Sequence, residues 1–301
     1  MSTPRRSVRG AAVVAALLGA YTLGAMSVEP ARTGSAEPGA SPGGASPDRV
    51  LDDAVEAIAA AAEGPVSRDR LREAALMAMV RELGDPWARY YPPQEFADFT
   101  AWLAGEGKTV RPEPESGDVS VEREDDLTVI RVAVFTRGVG ERVREGVAGS
   151  SAVMLDLRGN PGGLLAEAVE TASAFLADGP VVTYDGNDAP PEVITVTSPG
   201  DPRVPVVVLV DQGTASAAEV VAGSLRDRDR AVLVGSPTFG KGTVQEPVRL
   251  PDGSAVELTV GRYETPDGHN LEGTGVEPDV AAEESDAEER ARTVLRGLAG
   301  A

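Results

Sequence analysis

Residues 204–223 read VPVVVLVDQGTASAAEVVAG. The first eight are apolar and β-branched almost throughout, the composition of a strand buried on both faces. A Gly-containing turn follows, and the pattern becomes helical at Ser216. A buried strand that feeds a helix through a short turn is the unit of an α/β fold. The segments around it repeat the theme. Upstream, VSVERE (119–124), LTVIRVAVF (127–135), SAVMLDLRG (151–159), GPVVTYDG (179–186) and EVITVT (192–197) read as strands. VGERVREGVA (139–148) and LLAEAVETASAFLA (164–177) read as helices. Downstream come the strands RAVLVG (230–235) and AVELTVGRYET (255–265), with PDGS at 251–254 as a hairpin turn. The near-continuous apolar strands predict an α/β core with a mostly parallel sheet over 118–281, and residues 282–301 hold a polar terminal helix.

The N-terminal part differs. Arg5, Arg6 and Arg9 precede an apolar run from Gly10 to Val28, so residues 1–28 read as a signal peptide or a signal anchor. Ala25 has Leu23 at the position where a cleavage site wants a small residue, which favours an uncleaved anchor with its Arg side in the cytoplasm. Residues 29–47, rich in Pro, Gly, Ser and Ala, form a flexible linker. A small helical cap is expected over 48–105: DRVLDDAVEAIAAAAEG ends at Gly64, SRDRLREAALMAMVRELG starts with Ser67 as N-cap, and a third helix follows Pro92-Pro93. Trp87, Tyr90 and Tyr91 read as packing residues. Residues 106–117 are a polar connecting loop.

Composition narrows the function. The net charge of −20 disfavours nucleic acid and anionic membrane surfaces, so membrane contact is expected only through the N-terminal segment. With no Cys, the chain has no disulfide, thiol nucleophile or Cys-ligated zinc, and with one His, His269, it has no multi-His metal site.

Of 28 basic residues only Lys108 and Lys241 are lysine. Arg keeps its proton near neutrality, whereas a desolvated Lys can lose it. Lys241 sits between Gly240 and Gly242 in SPTFGKGTVQ, where close packing of the backbone buries an amine. Gln245 lies four residues on, on the same face of an extended segment. Ser216 stands at a helix start, whose free N–H groups suit an attacking oxygen and its oxyanion, though an ordinary N-cap has the same pattern. Gly162 and Gly163 in LDLRGNPGG can present backbone N–H groups to a ligand, or simply form a strand-to-helix turn. Asp156 and Arg158 fit a structural pair. His269, in the turn TPDGHNLEG, leaves a Ser–His arrangement open, and Asp227 is about 16 Å along the helix from Ser216.

Together LDLRGNPGGLL, VVLVDQGTASAAEVVAGSLRD, VGSPTFGKGTVQ and RYETPDG…GTGVEPDV resemble the C-terminal processing peptidases, or tail-specific proteases, in text, order and spacing. The resemblance is strong over about 118–281 and fainter over LGDPWARYYPPQEF. It implies a crotonase-like core and a Ser–Lys dyad, with Ser216 as nucleophile, Lys241 as general base and Gln245 orienting the lysine. The oxyanion donors would be the N–H groups of Ala217 and of Gly162 or Gly163. It implies protein or peptide substrates, unstructured segments foremost, and no metal or organic cofactor. The family's PDZ domain would lie where only 106–117 stands, so a partner protein is a candidate source of substrate recognition. The expected protein is an exported serine endopeptidase, at the cell membrane or secreted. A catalytically silent scaffold member and an acyl-thioester enzyme of crotonase type are the rivals.

Overall fold

The computed structural model describes residues 49–104, 118–124, 126–187 and 190–300. They form two compact units, one of residues 49–96 and 247–258, the other of residues 97–246 and 259–300.

The smaller unit contains helices α1 (Val50–Ala61) and α2 (Arg68–Glu82). The Ser67 hydroxyl accepts from the Arg70 N–H at 3.4 Å, the cap that the sequence suggests. The unit is not purely helical. Arg89–Tyr91 is a strand, β1, paired antiparallel with residues 255–257. Two adjacent tyrosines favour extended backbone, and both rings are buried here. The Tyr91 hydroxyl donates to Glu257 at 2.9 Å, and the Arg249 guanidinium lies 4.8 Å from the ring centre of Phe96. Pro93 begins helix α3 (Pro93–Leu103), and β2 starts at Val119, so only fifteen residues lie between the two elements.

The larger unit is built on a six-stranded sheet. It uses β2 (Val119–Arg123), β3 (Thr128–Val132), β4 (Val153–Asp156), β7 (Val206–Val210), β8 (Val232–Gly235) and β11 (Val280–Ala281), in the order β11-β8-β7-β4-β3-β2. Every pairing is parallel except β2 with β3. Alternation along the strands explains the unbroken apolar runs. Val153, Leu155, Val206, Val208, Val210 and Leu233 face one core, with helices α4 (Val139–Val147), α5 (Leu165–Ser173) and α6 (Ala217–Asp227). Met154, Val207, Leu209 and Val234 face the other side. There they meet helix α7 (Ala287–Ala299) through Ala287, Ala291 and Leu295. That helix, which reads as merely polar, carries an i, i+4, i+8 apolar stripe. Two of its three members are alanines, so the stripe is faint in sequence.

A second, antiparallel arrangement joins β5 (Pro180–Gly186) to β6 (Glu192–Thr195) and to residues 261–264 of β10 (Ala255–Glu264). Strand β9 (Thr243–Arg249) also pairs with β10, and the turn between them closes through Gly253 N–H to the Leu250 carbonyl at 3.0 Å. The expected segments 1–28, 29–47 and the loop through 117 lie outside the described residues. Among those described, no helix is long and apolar enough to cross a membrane.

Candidate active site

Three neighbouring parallel strands end at the same edge of the six-stranded sheet. β4 runs into the glycine turn, β7 into Ser216 and β8 into Lys241. The carboxyl ends of parallel strands are where α/β folds place their ligands. Residues far apart in sequence are thus brought to one place by strand order alone.

The first two turns are then tied together. The Asp211 carboxylate accepts from the N–H groups of Gly159 (2.8 Å), Gly213 (2.9 Å) and Thr214 (3.1 Å). The Ala215 N–H donates to the Asn160 carbonyl at 2.9 Å. Asn160 is fully buried; its side-chain oxygen accepts from Gly162 N–H at 2.8 Å and its amide donates to the Val132 carbonyl at 2.9 Å. Gly162 abuts the serine turn. A Cβ there would stand 2.9 Å from the Ala215 carbonyl oxygen and 3.0 Å from the Ser216 Cβ. Gly163 is exposed, and neither its N–H nor that of Ala217 donates to any described residue.

Ser216 has φ 55° and ψ −120°, one of two non-Gly positive-φ residues among those described. An ordinary N-cap is extended with negative φ. Such a backbone costs about 1–3 kcal/mol and persists only where its surroundings enforce it.

The enforcing group is Glu219, which is fully buried on the first turn of α6. Its Oε2 accepts from Ser216 N–H and from Lys241 N–H, each at 2.8 Å. Oε1 accepts from Gly240 N–H at 2.8 Å and from the Thr238 hydroxyl at 2.5 Å. With one oxygen shared, the backbone nitrogens of Ser216 and Lys241 lie within about 5.6 Å of each other, the two bonds end to end. The Glu219 N–H returns to the Ser216 carbonyl at 2.8 Å.

The lysine turn is gripped from its other side by residues 271–276. Gly242 N–H donates to Glu272 at 2.9 Å, and Gly273 N–H donates to the Gly240 carbonyl at 2.9 Å. A Cβ on Gly242 would fall 2.4 Å from the Glu272 nitrogen, so only glycine fits. Gln245 Nε2 donates to the hydroxyls of Thr243 (2.8 Å) and Thr259 (3.2 Å). Both amide hydrogens are thereby used, and Oε1 is left as an acceptor.

Asp156 and Arg158 form a bidentate pair, with contacts of 2.9 and 2.7 Å. Hydrogen bonding to Asp156 holds the guanidinium above its ordinary ionisation range. His269 Nδ1 is 3.7 Å from the Asp227 carboxylate, which also accepts from Asp267 N–H at 3.1 Å. Asp227 closes the helix that Ser216 opens, so His269 is held at the far end, roughly 16 Å from the serine's turn. Among the described residues no group of three or more His, Asp or Glu side chains is arranged to hold a metal ion.

The family model for peptidase family S41 covers residues 126–282, slightly more than half of the chain. The chain belongs to peptidase family S41. A carboxyl-terminal-processing protease of Synechocystis sp. is 42% identical over 136 residues, 45% of this chain and 32% of that one. The chloroplastic carboxyl-terminal-processing peptidase 1 of Arabidopsis thaliana is 44% identical over 133 residues, 44% of this chain and 27% of that one. The match thus spans about a third of the length of these relatives. The solved photosystem II D1 C-terminal processing protease shares the fold at a TM-score of 0.61 and 22% identity, over 85% of this S41 chain and 98% of that one. A lipoprotein from Streptococcus agalactiae does so at 0.63 and 17%, over 99% of both chains.

The residues that organise this site escaped the motif reading. Glu219, Asn160 and Asp211 do their work by accepting backbone N–H groups, a role with little residue signature. One signal was present: Ser216-Ala-Ala-Glu219 has the S-x-x-E spacing of a capping box.

Proposed function

We propose that this chain is a serine endopeptidase with a Ser216–Lys241 dyad. The observation that carries the reading is the Glu219 carboxylate, one oxygen of which accepts from the backbone of both residues. A carboxylate that fixes both at once sets their separation, which is what a proton transfer between them requires. Neutral Lys241 takes the Ser216 proton as Oγ attacks a peptide carbonyl. The N–H of Ala217, at the start of α6, and that of Gly163 receive the oxyanion. Gly163 is favoured over Gly162, whose N–H already serves Asn160. Moreover, the bridge between Gly163 and Phe135 uses the Gly162 carbonyl and the Leu164 N–H. Alternation then turns the N–H of Gly163 to the other side. The lysine ammonium gives its proton to the leaving amine. Neutral once more, it draws a proton from the water that hydrolyses the acyl-enzyme. The Gln245 Oε1 accepts from the ammonium and orients it.

The substrates are extended, unstructured protein segments. The organisation that fits this reading is an N-terminal export segment over 1–28, a linker over 29–47, a cap over 48–105, the peptidase core over 118–281 and the terminal helix over 282–301. The export segment places the catalytic part outside the cytoplasm, at the membrane or secreted. With only 106–117 where the family's PDZ domain would lie, recognition of a free C-terminus is weak, and a partner protein supplies selection. The test is hydrolysis of an internally quenched peptide. Ser216→Ala, Lys241→Ala and Lys241→Arg each abolish it and His269→Ala does not, while kcat/KM of the wild type rises with pH. Near wild-type turnover by Lys241→Arg overturns the assignment of the base.

A further inference from the structure

Phe239 is 56% exposed, the one aromatic among the strongly exposed large hydrophobic residues of the described chain. Aromatics make up only 4% of this sequence, and Phe96, Phe135 and Phe175 are all buried. Its exposure does not come from a slack loop. Thr238, before it, donates its N–H to the Val276 carbonyl at 3.1 Å and its hydroxyl to Glu219 at 2.5 Å. Phe239 N–H donates to the Thr214 carbonyl at 2.9 Å. Gly240, after it, donates to Glu219 at 2.8 Å and accepts from Gly273 N–H at 2.9 Å. Three consecutive residues are pinned through their backbones. Thr238 and Gly240 are buried and Phe239 between them faces out. The pins also fix its location: the backbone is bonded two residues before Ser216 and lies two residues before Lys241.

A phenyl group that is 56% exposed on a pinned backbone offers apolar area to a ligand, and the backbone beneath it needs no further ordering. We infer that Phe239 is a specificity-determining residue. Its ring, carried on a fixed backbone, is an apolar shelf that receives a large apolar side chain of the extended substrate, within two residues of the scissile bond. The inference rests on the Ser216–Lys241 reading, and its test separates the two.

Two internally quenched peptides are compared, identical except for Leu or Ser at the two positions on either side of the cleaved bond. Wild type, Phe239→Ala and Phe239→Leu are assayed for kcat and KM, and Ser216 is titrated with a small alkyl fluorophosphonate. Phe239→Ala lowers kcat/KM for the Leu peptide about tenfold to thirtyfold, mainly through KM, and less than threefold for the Ser peptide. Phe239→Leu recovers most of the loss, and all three proteins label at similar rates. An equal loss on both peptides with slowed labelling makes Phe239 a support for the lysine turn and overturns the inference, as does no loss on either. A wild-type protein that neither labels nor cleaves overturns the peptidase reading, and the shelf with it.

Discussion

Replacing Glu219 with glutamine changes one atom in the group that holds both halves of the proposed dyad. The carboxylate serves four donors, two on each oxygen. The amide keeps one acceptor. Its better orientation sets that oxygen on Ser216 and Lys241 and turns the NH2 toward Thr238 and Gly240. The Thr238 hydroxyl can rotate and accept, but the Gly240 N–H faces another donor. One buried N–H without a partner costs about 1–3 kcal/mol. The two bonds kept on the oxygen pass from a charged to a neutral acceptor, at about 0.5–1 kcal/mol each. The sum is about 2–5 kcal/mol. Because the loss falls on the relative position of Ser216 and Lys241, it reads out in kcat, and kcat/KM drops about 30- to 5000-fold. The measurement is steady-state hydrolysis beside a thermal unfolding curve, to confirm that the variant is folded. Activity within fivefold of wild type in a folded Glu219→Gln protein would refute the idea that this carboxylate sets the dyad.

Three further outcomes are expected. A peptide with an amidated C-terminus is cleaved nearly as well as the free acid; a preference for the acid above about tenfold, ~1.4 kcal/mol, shows a carboxylate site elsewhere in the chain. Leu295→Ala opens the core beneath α7 and lowers unfolding free energy by about 2–4 kcal/mol, measured by urea denaturation, while the fluorophosphonate labelling rate of folded protein is unchanged. Burial of Glu170, reinforced by Glu167 and Glu141 against the opposing Arg144, pushes its carboxyl upward. An acid raised on folding holds its proton more tightly in the folded state, so its contribution to stability falls as pH climbs through the carboxylate range. Glu170→Gln therefore raises the Tm slightly at pH 7 and leaves it unaltered near pH 3, checked by thermal melts at both values.

The parallel sheet was legible because its strands are buried on two faces. VVVLV at 206–210 cannot be an amphipathic helix face or a half-exposed strand, and both of its sides meet a core. The helices around it were legible by period. Strand β1 was not, since three residues carry no period and owe their form to pairing with 255–257. Strand β9 was read only as extended, because proline and charged residues mask its pattern. Ser216, Lys241 and the glycine pair stood out in sequence because their chemistry or their lack of a side chain is unusual. Glu219, Asn160 and Asp211 did not, because any buried acceptor looks like a surface residue until its donors are in place. Lys241 illustrates the limit: its rarity marked it, but the neighbours that fix its backbone come from residues 219 and 272–273.

The site's ties run between distant parts of the chain, and this sets when it can exist. The Gly159 amide waits for Asp211, the Lys241 amide for Glu219, and the Thr238 amide for Val276. The back of the sheet is finished only by residues 287–295. Contacts of such long sequence separation form late in folding. A newly synthesised chain therefore holds its serine before it holds the arrangement around Glu219. On the proposed reading, hydrolytic competence arrives only once these ties have closed, so incompletely folded copies do not cleave one another. In a refolding experiment this appears as a lag: secondary structure returns first, and fluorophosphonate labelling of Ser216 follows. Simultaneous recovery of the two signals would show that the pair assembles before the sheet is closed.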